Sequence, residues 1–83
     1  MSVAVEWSDG RITSGATWID LMEKVRGMQW RDLTVEEFRL EMAKRALRWS
    51  RTEIDPWLTP RKFFQELQRA QMLIVVDDEE VGS

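Results

Sequence analysis

The chain has 83 residues, 43% of them hydrophobic and 33% charged, with a net charge of −3. That is one small domain of ordinary globular composition, not a disordered segment. With no Cys, His or Tyr, it excludes disulfide staples and thiolate or imidazole metal sites, and it lacks the usual side chains of acid–base and nucleophilic catalysis.

At the N-terminus Val3, Val5 and Trp7 alternate with Ala4, Glu6 and Ser8, and Asp9-Gly10 follows. Alternation with an Asp-Gly pair predicts a β-hairpin with a two-residue turn at Asp9 and Gly10. In that register Ser8 faces Arg11, Trp7 faces Ile12 and Glu6 faces Thr13. Val3, Val5, Trp7 and Ile12 then share one side, and Ala4, Glu6, Ser8, Arg11 and Thr13 the other.

Ser14-Gly15 breaks the hairpin. Thr17 follows as a helix N-cap with Asp20 as its capping-box partner. Trp18, Leu21, Met22 and Val25 fit the spacing of a buried helical stripe, and Gly27 suits a left-handed helix end. The first helix is expected over 17–26.

The second helix, from 35 to about 50, carries the strongest signal. Thr34 and Glu37 form a capping box, with Leu33 and Phe38 at the staple positions. Val35, Phe38, Leu40, Met42, Ala43, Ala46, Leu47 and Trp49 spread over half the circumference or more, wider than a single stripe. That width predicts a central helix covered on two sides. Glu41 and Arg45 form an i,i+4 pair on the remaining face.

After a linker at 50–58 containing Asp55-Pro56, Thr59 and Pro60 open a third helix. Its inner face is Phe63, Phe64, Leu67 and Ala70. Residues 73–76 (LIVV) form a short β-branched run, expected as a strand buried on both faces or in the middle of a sheet, paired with the hairpin. Residues 77–83 begin with four acids and are expected to fray. The resulting fold class is α+β in the order ββαααβ, a three-stranded sheet on three helices, with residues 1–76 as one domain. A three-helix bundle with a loosely attached hairpin is the alternative.

Among functions, an enzyme is not expected. The glycines form no phosphate loop, and DDEE at 77–80 is a plain acidic run rather than a calcium loop, so no metal or cofactor is expected. No segment approaches the ~20 apolar residues of a membrane span. The N-terminus lacks the form of a signal peptide, which points to a cytoplasmic protein without membrane contact.

Charge is unevenly distributed. Residues 38–69 hold eight basic and four acidic side chains. Lys44, Arg45, Arg48 and Arg51 can form a basic ridge suited to phosphate contacts. Against a nucleic-acid partner stand the negative net charge and a connection of about eight residues between the second and third helices, longer than a helix-turn-helix uses.

Protein binding is the leading expectation, because Trp and Arg dominate binding hot spots and five Trp are many for this length. Trp7 and Trp18 are expected in the core; Trp30 and Trp57 sit at element boundaries, as lids or exposed anchors. Arg48, Arg51, Trp57 and Arg61 are the candidate partner contacts, for an adaptor or inhibitor or equally for a homodimer. A third reading has the acidic side of the hairpin and the 77–80 acids imitate nucleic acid and occupy a basic cleft on a partner. The Arg- and Trp-rich, cysteine-free composition resembles that of accessory proteins of bacteriophages with GC-rich hosts. This resemblance implies a host or phage protein as partner and fixes no residue.

Overall fold

The computed structural model describes residues 2–79. Along the chain run β1 (Val3–Trp7), β2 (Ile12–Gly15), α1 (Trp18–Gln29), α2 (Val35–Ser50), α3 (Pro60–Arg69) and β3 (Leu73–Asp78). This is the expected ββαααβ order. The three strands form one antiparallel sheet in the order β2-β1-β3. Among the described residues no helix is long and apolar enough to cross a membrane.

The hairpin forms, but its register differs by one residue from the expected one. Glu6 faces Ile12, Val5 faces Thr13, and Val3 faces Gly15. The loop holds three residues, Ser8, Asp9 and Gly10. Trp7 N–H donates to the Arg11 carbonyl at 2.8 Å, Gly10 N–H donates to the Trp7 carbonyl at 2.9 Å, and Gly10 takes φ 89°. Such a loop needs a left-handed residue only at its end, so Asp-Gly fits it as well as the tighter turn. The shift turns β2 over: Thr13 is buried, and Ile12 points to solvent at 63% exposure.

β3 is also placed differently from expectation. It is an edge strand, and β1 is the middle one. Leu73 is buried and Val75 partly so, while Ile74 and Val76 are exposed. A register shift sets Ala4 opposite Asp77 and Val5 opposite Val75, leaving Val76 as the extra residue. The strand runs past the expected boundary at 76, so Asp77 and Asp78 belong to the sheet; residues 80–83 of the expected tail lie outside the described residues. Ser2 Oγ donates to Asp77, and Glu79 N–H donates to the Ser2 carbonyl at 2.9 Å. Side chains occupy backbone groups of both outer strands. Gln68 Oε1 accepts the Val75 N–H at 2.6 Å, and Lys24 Nζ donates to the Ser14 carbonyl at 3.3 Å. Plugs of this kind hinder edge-to-edge pairing.

In α1 the Thr17 hydroxyl accepts the Asp20 N–H at 3.0 Å, as an N-cap should. The Asp20 carboxylate reaches one residue further back than a capping box, to the Ala16 N–H. Trp18, Leu21, Met22 and Val25 are all buried. The helix continues through Gly27 to Gln29, so Gly27 is an interior residue rather than the expected terminator. Gly15 is where β2 meets this helix: a Cβ there would lie 2.9 Å from the Leu21 backbone nitrogen.

α2 keeps its expected bounds and its capping box, with Thr34 N–H donating to Glu37 and Glu37 N–H to Thr34. Its burial is narrower than expected. Only Phe38, Met42 and Ala46, four residues apart, are fully covered. Leu40, Leu47 and Trp49 are exposed, so α2 is a flanking helix and not a sandwiched one. It ends at Arg51, which takes the left-handed conformation at φ 56° and closes onto the Leu47 carbonyl.

α3 supplies Phe63, Phe64 and Leu67 to the core, and Ala70 follows them. Trp18 lies 5.4 Å from Phe64, which meets Phe63 edge-on at 6.3 Å. These aromatic contacts, with Val3 and Val5 from the middle strand, join helices to sheet. Large aromatic burial of this kind lets a small domain hold together without cross-links.

Candidate functional site

The helical period of α2 carries the buried stripe one step beyond the body of the domain. Seven residues make about two turns, so Trp49 stands over the same flank as Met42. Met42 is covered; Trp49, past the edge of the cover, is 76% exposed. It forms one wall of a groove of about 250 Å³. The hairpin tip supplies Trp7 and Ser8, the end of α1 Trp30, α2 Met42 and Arg45, and the turn before β3 Gln71 and Met72. A neighbouring depression along α2 shares Arg45, Trp49 and Met72 with it and adds Arg48. A third shares Trp7, Ser8, Gln71 and Met72 with the first and reaches Leu73, Ile74 and Glu6.

Local structure fixes these walls. Trp7 Nε1 donates to the Thr13 hydroxyl at 3.1 Å, a contact made possible by the shifted hairpin register. Trp30 packs on Phe38 with ring centroids 5.4 Å apart, and the Arg45 guanidinium lies 5.5 Å from the Trp30 ring. Arg45 Nε also donates to Glu41 at 3.2 Å. The Phe38–Trp30–Arg45 stack holds a cation in place at the groove. Gln71, left-handed at φ 64°, turns the chain out of α3 and presents Met72. Lys44, Arg48 and Arg51 make no ion pair among the described residues.

The residues singled out from sequence have separate settings. Arg48 lines the groove with Trp49, and Arg51 closes α2. Arg61 binds Asp78, with Nε at 3.1 Å and Nη2 at 2.8 Å from Oδ2. That hydrogen bond lowers the Asp78 carboxyl below its ordinary value, helped by the Trp18 indole and the Arg61 charge and opposed by partial burial. Of the two boundary Trp, Trp57 is 58% exposed, while Trp30 packs on the core as a lid. Trp18 is buried; Trp7 is only partly so. Lys44 and Arg45 lie on α2 as drawn, although Arg45 is already engaged by Glu41 and Trp30.

Arg39 plays a part that sequence reasoning missed. Its guanidinium sits 5.2 Å from the Phe63 ring and 6.0 Å from that of Trp57. It donates to the carbonyls of Pro56 and Leu58 and so ties the linker to α2. Burial pulls its pKa down, with Asp55 and Glu36 opposing. Trp49 was missed as well, because its spacing from Met42 marks it as core. The only signal was that it falls in the last turn, where cover can end.

The described acids of the run, 77–79, are not gathered. Asp77 faces Ser2, while Asp78 is shared by Trp18 and Arg61. Among the described residues no group of three or more acids is placed to hold a metal ion. No family model, no curated protein and no solved structure matches this chain.

Proposed function

We propose that this chain is a non-catalytic protein-binding module of the cytoplasm, an adaptor or inhibitor, which takes its partner in the groove between the hairpin tip and α2. One observation carries the reading: Trp49, 76% exposed, stands beside Arg45 and Arg48 over an apolar floor. Trp and Arg set around a pocket are the composition of a binding hot spot. The contact set drawn from sequence is revised accordingly. Arg48 and Arg51 stay, Trp49 takes the place of Trp57, and Arg61 is assigned to Asp78. Non-catalysis rests on the lack of His, Cys and Tyr. A host or phage protein as partner rests on composition alone.

The test is affinity capture from the native host with purified wild-type, Trp49→Ala, Arg48→Glu and Trp57→Ala chains. The reading expects one protein held by wild type and Trp57→Ala and lost by the other two. Equal retention by all four overturns it. Light scattering on the same samples reports a homodimer through this surface.

The nucleic-acid reading keeps one observation in its favour, the cations Lys44, Arg48 and Arg51, which make no ion pair among the described residues. Duplex DNA binding that falls steeply with salt and is lost on replacing these three would establish it instead.

A further inference from the structure

The groove has two unlike ends. At one stand Arg45 and Arg48, beside Trp49. At the other it is bounded by Leu73, Ile74 and Glu6. Between them the floor is Met72, with the buried Met42 beneath and Trp7 as a wall. We infer that the groove takes an extended acidic–apolar peptide segment, its carboxylates at the Arg45–Arg48 end and an aliphatic or aromatic side chain set over Met72. This rests on the reading of the groove as a protein-binding site and adds the chemistry of what enters it.

Charge complementarity selects the occupant. Arg45 has its Nε engaged by Glu41 and its plane beside Trp30, while its two terminal nitrogens have no partner among the described residues. A guanidinium held this way presents a fork ready for a carboxylate, and little side-chain freedom remains to be lost on binding. Arg48 adds a second cation. A basic segment meets two arginines and is repelled. A purely apolar one leaves Arg48 and the two terminal nitrogens of Arg45 without a partner while it covers Trp49.

The same Trp and Arg chemistry can stack bases and hold phosphates. A polynucleotide, however, carries a charge on every residue and needs cations along the whole track. Here they stand at one end only, the other end carries Glu6, and the chain as a whole has a net charge of −3. A peptide whose charge is confined to one part fits that asymmetry. Methionine at the floor adapts to more than one apolar anchor, so the acidic part is expected to be the more constant feature of the ligand.

The experiment is selection from a random-peptide display library on the immobilised full chain, with subtraction against Trp49→Ala. Enriched peptides are expected to carry clustered Asp or Glu beside an apolar residue. A fluorescein-labelled enriched peptide, followed by polarisation, should lose about tenfold or more in affinity with Arg48→Glu. It should also weaken as salt rises from about 50 to 500 mM. Exchanging its acids for Lys should restore binding to an Arg45→Glu/Arg48→Glu chain. Unchanged urea midpoints show that the variants fold; if Trp49→Ala does not, Arg48→Glu alone carries the test. Trp49-dependent peptides without an acidic excess overturn this inference and leave the protein-binding reading standing. Failure of any peptide to enrich also overturns it, while host capture still decides the broader reading. Tighter binding of labelled oligo(dT) than of any peptide overturns both.

Discussion

The indole N–H of Trp18 donates to Oδ1 of Asp78 at 3.0 Å, across 60 positions of sequence. The other oxygen of the same carboxylate is held by Arg61. A single side chain at the end of β3 thus ties the start of α1 to the start of α3. The two acids at the end of β3, 77 and 78, are structural groups, although their sequence reads as the start of a solvated tail.

Asp78 should make the fold acid-sensitive in a defined window. The Arg61 hydrogen bond lowers its folded pKa. The group therefore adds stability above the unfolded aspartate value of about 3.9, and that stability is lost as pH falls through the folded value. Asp78→Asn keeps an oxygen for Trp18 but no charge for Arg61, and should cost about 0.5–1 kcal/mol at pH 7 for this partly exposed pair. Urea midpoints from pH 7 to about 2 should show the gap between wild type and variant closing below about pH 4. A gap that stays constant rejects the assignment.

Two glycines should respond to alanine with opposite signs. At Gly15 a Cβ would lie 2.8 Å from Asp20 Oδ2 and 2.9 Å from the Leu21 nitrogen. The helix backbone cannot yield cheaply, so Gly15→Ala should cost about 1–3 kcal/mol. Gly27 is interior to α1 with open space around it, and Gly27→Ala should gain about 0.5–1 kcal/mol. Thermal melts that move in the same direction for both would contradict the placement of α1.

The hairpin register is tested at two adjacent residues. Ile12→Thr should change stability by less than about 0.5 kcal/mol, since the side chain points to solvent. Thr13→Val should cost about 1 kcal/mol, because it removes the acceptor for Trp7 Nε1. A two-residue loop would reverse the order, with Ile12 the costly position. Chemical denaturation of both variants separates the two registers.

Arg51→Gly should stabilise the fold by about 0.5–1 kcal/mol, as glycine adopts φ 56° without the Cβ penalty. If Arg51 also meets the partner, the same variant should bind more weakly while melting later. Equal or lower stability would show that the arginine side chain makes up for the backbone cost.

What the sequence made legible is what neighbouring residues decide. Thr17 and Thr34 cap helices through bonds spanning three residues. The Phe63, Phe64 and Leu67 face of α3 follows from helical spacing, and all three are buried. What stayed hidden depends on distant parts of the chain. Periodicity marks Phe38, Met42 and Trp49 as one flank, but it does not say where the cover over that flank stops. The β-branched run at 73–76 reads as a central strand; that β1 takes the middle is decided by pairing across more than sixty residues. Asp9-Gly10 satisfies two loop geometries equally, and the choice falls to the burial of Thr13 against that of Ile12. Arg39 reads as a surface cation until the linker folds back over it.

The hydrogen bond from Glu79 to Ser2 has a consequence for how the fold can be carried. The described chain enters and leaves at one spot, on neighbouring strands, so a short connection suffices to join the two ends. Cutting a surface loop and bridging residues 2 and 79 should therefore give viable circular permutants, and a host loop can accept the whole unit as a cassette without its own stems being pulled apart.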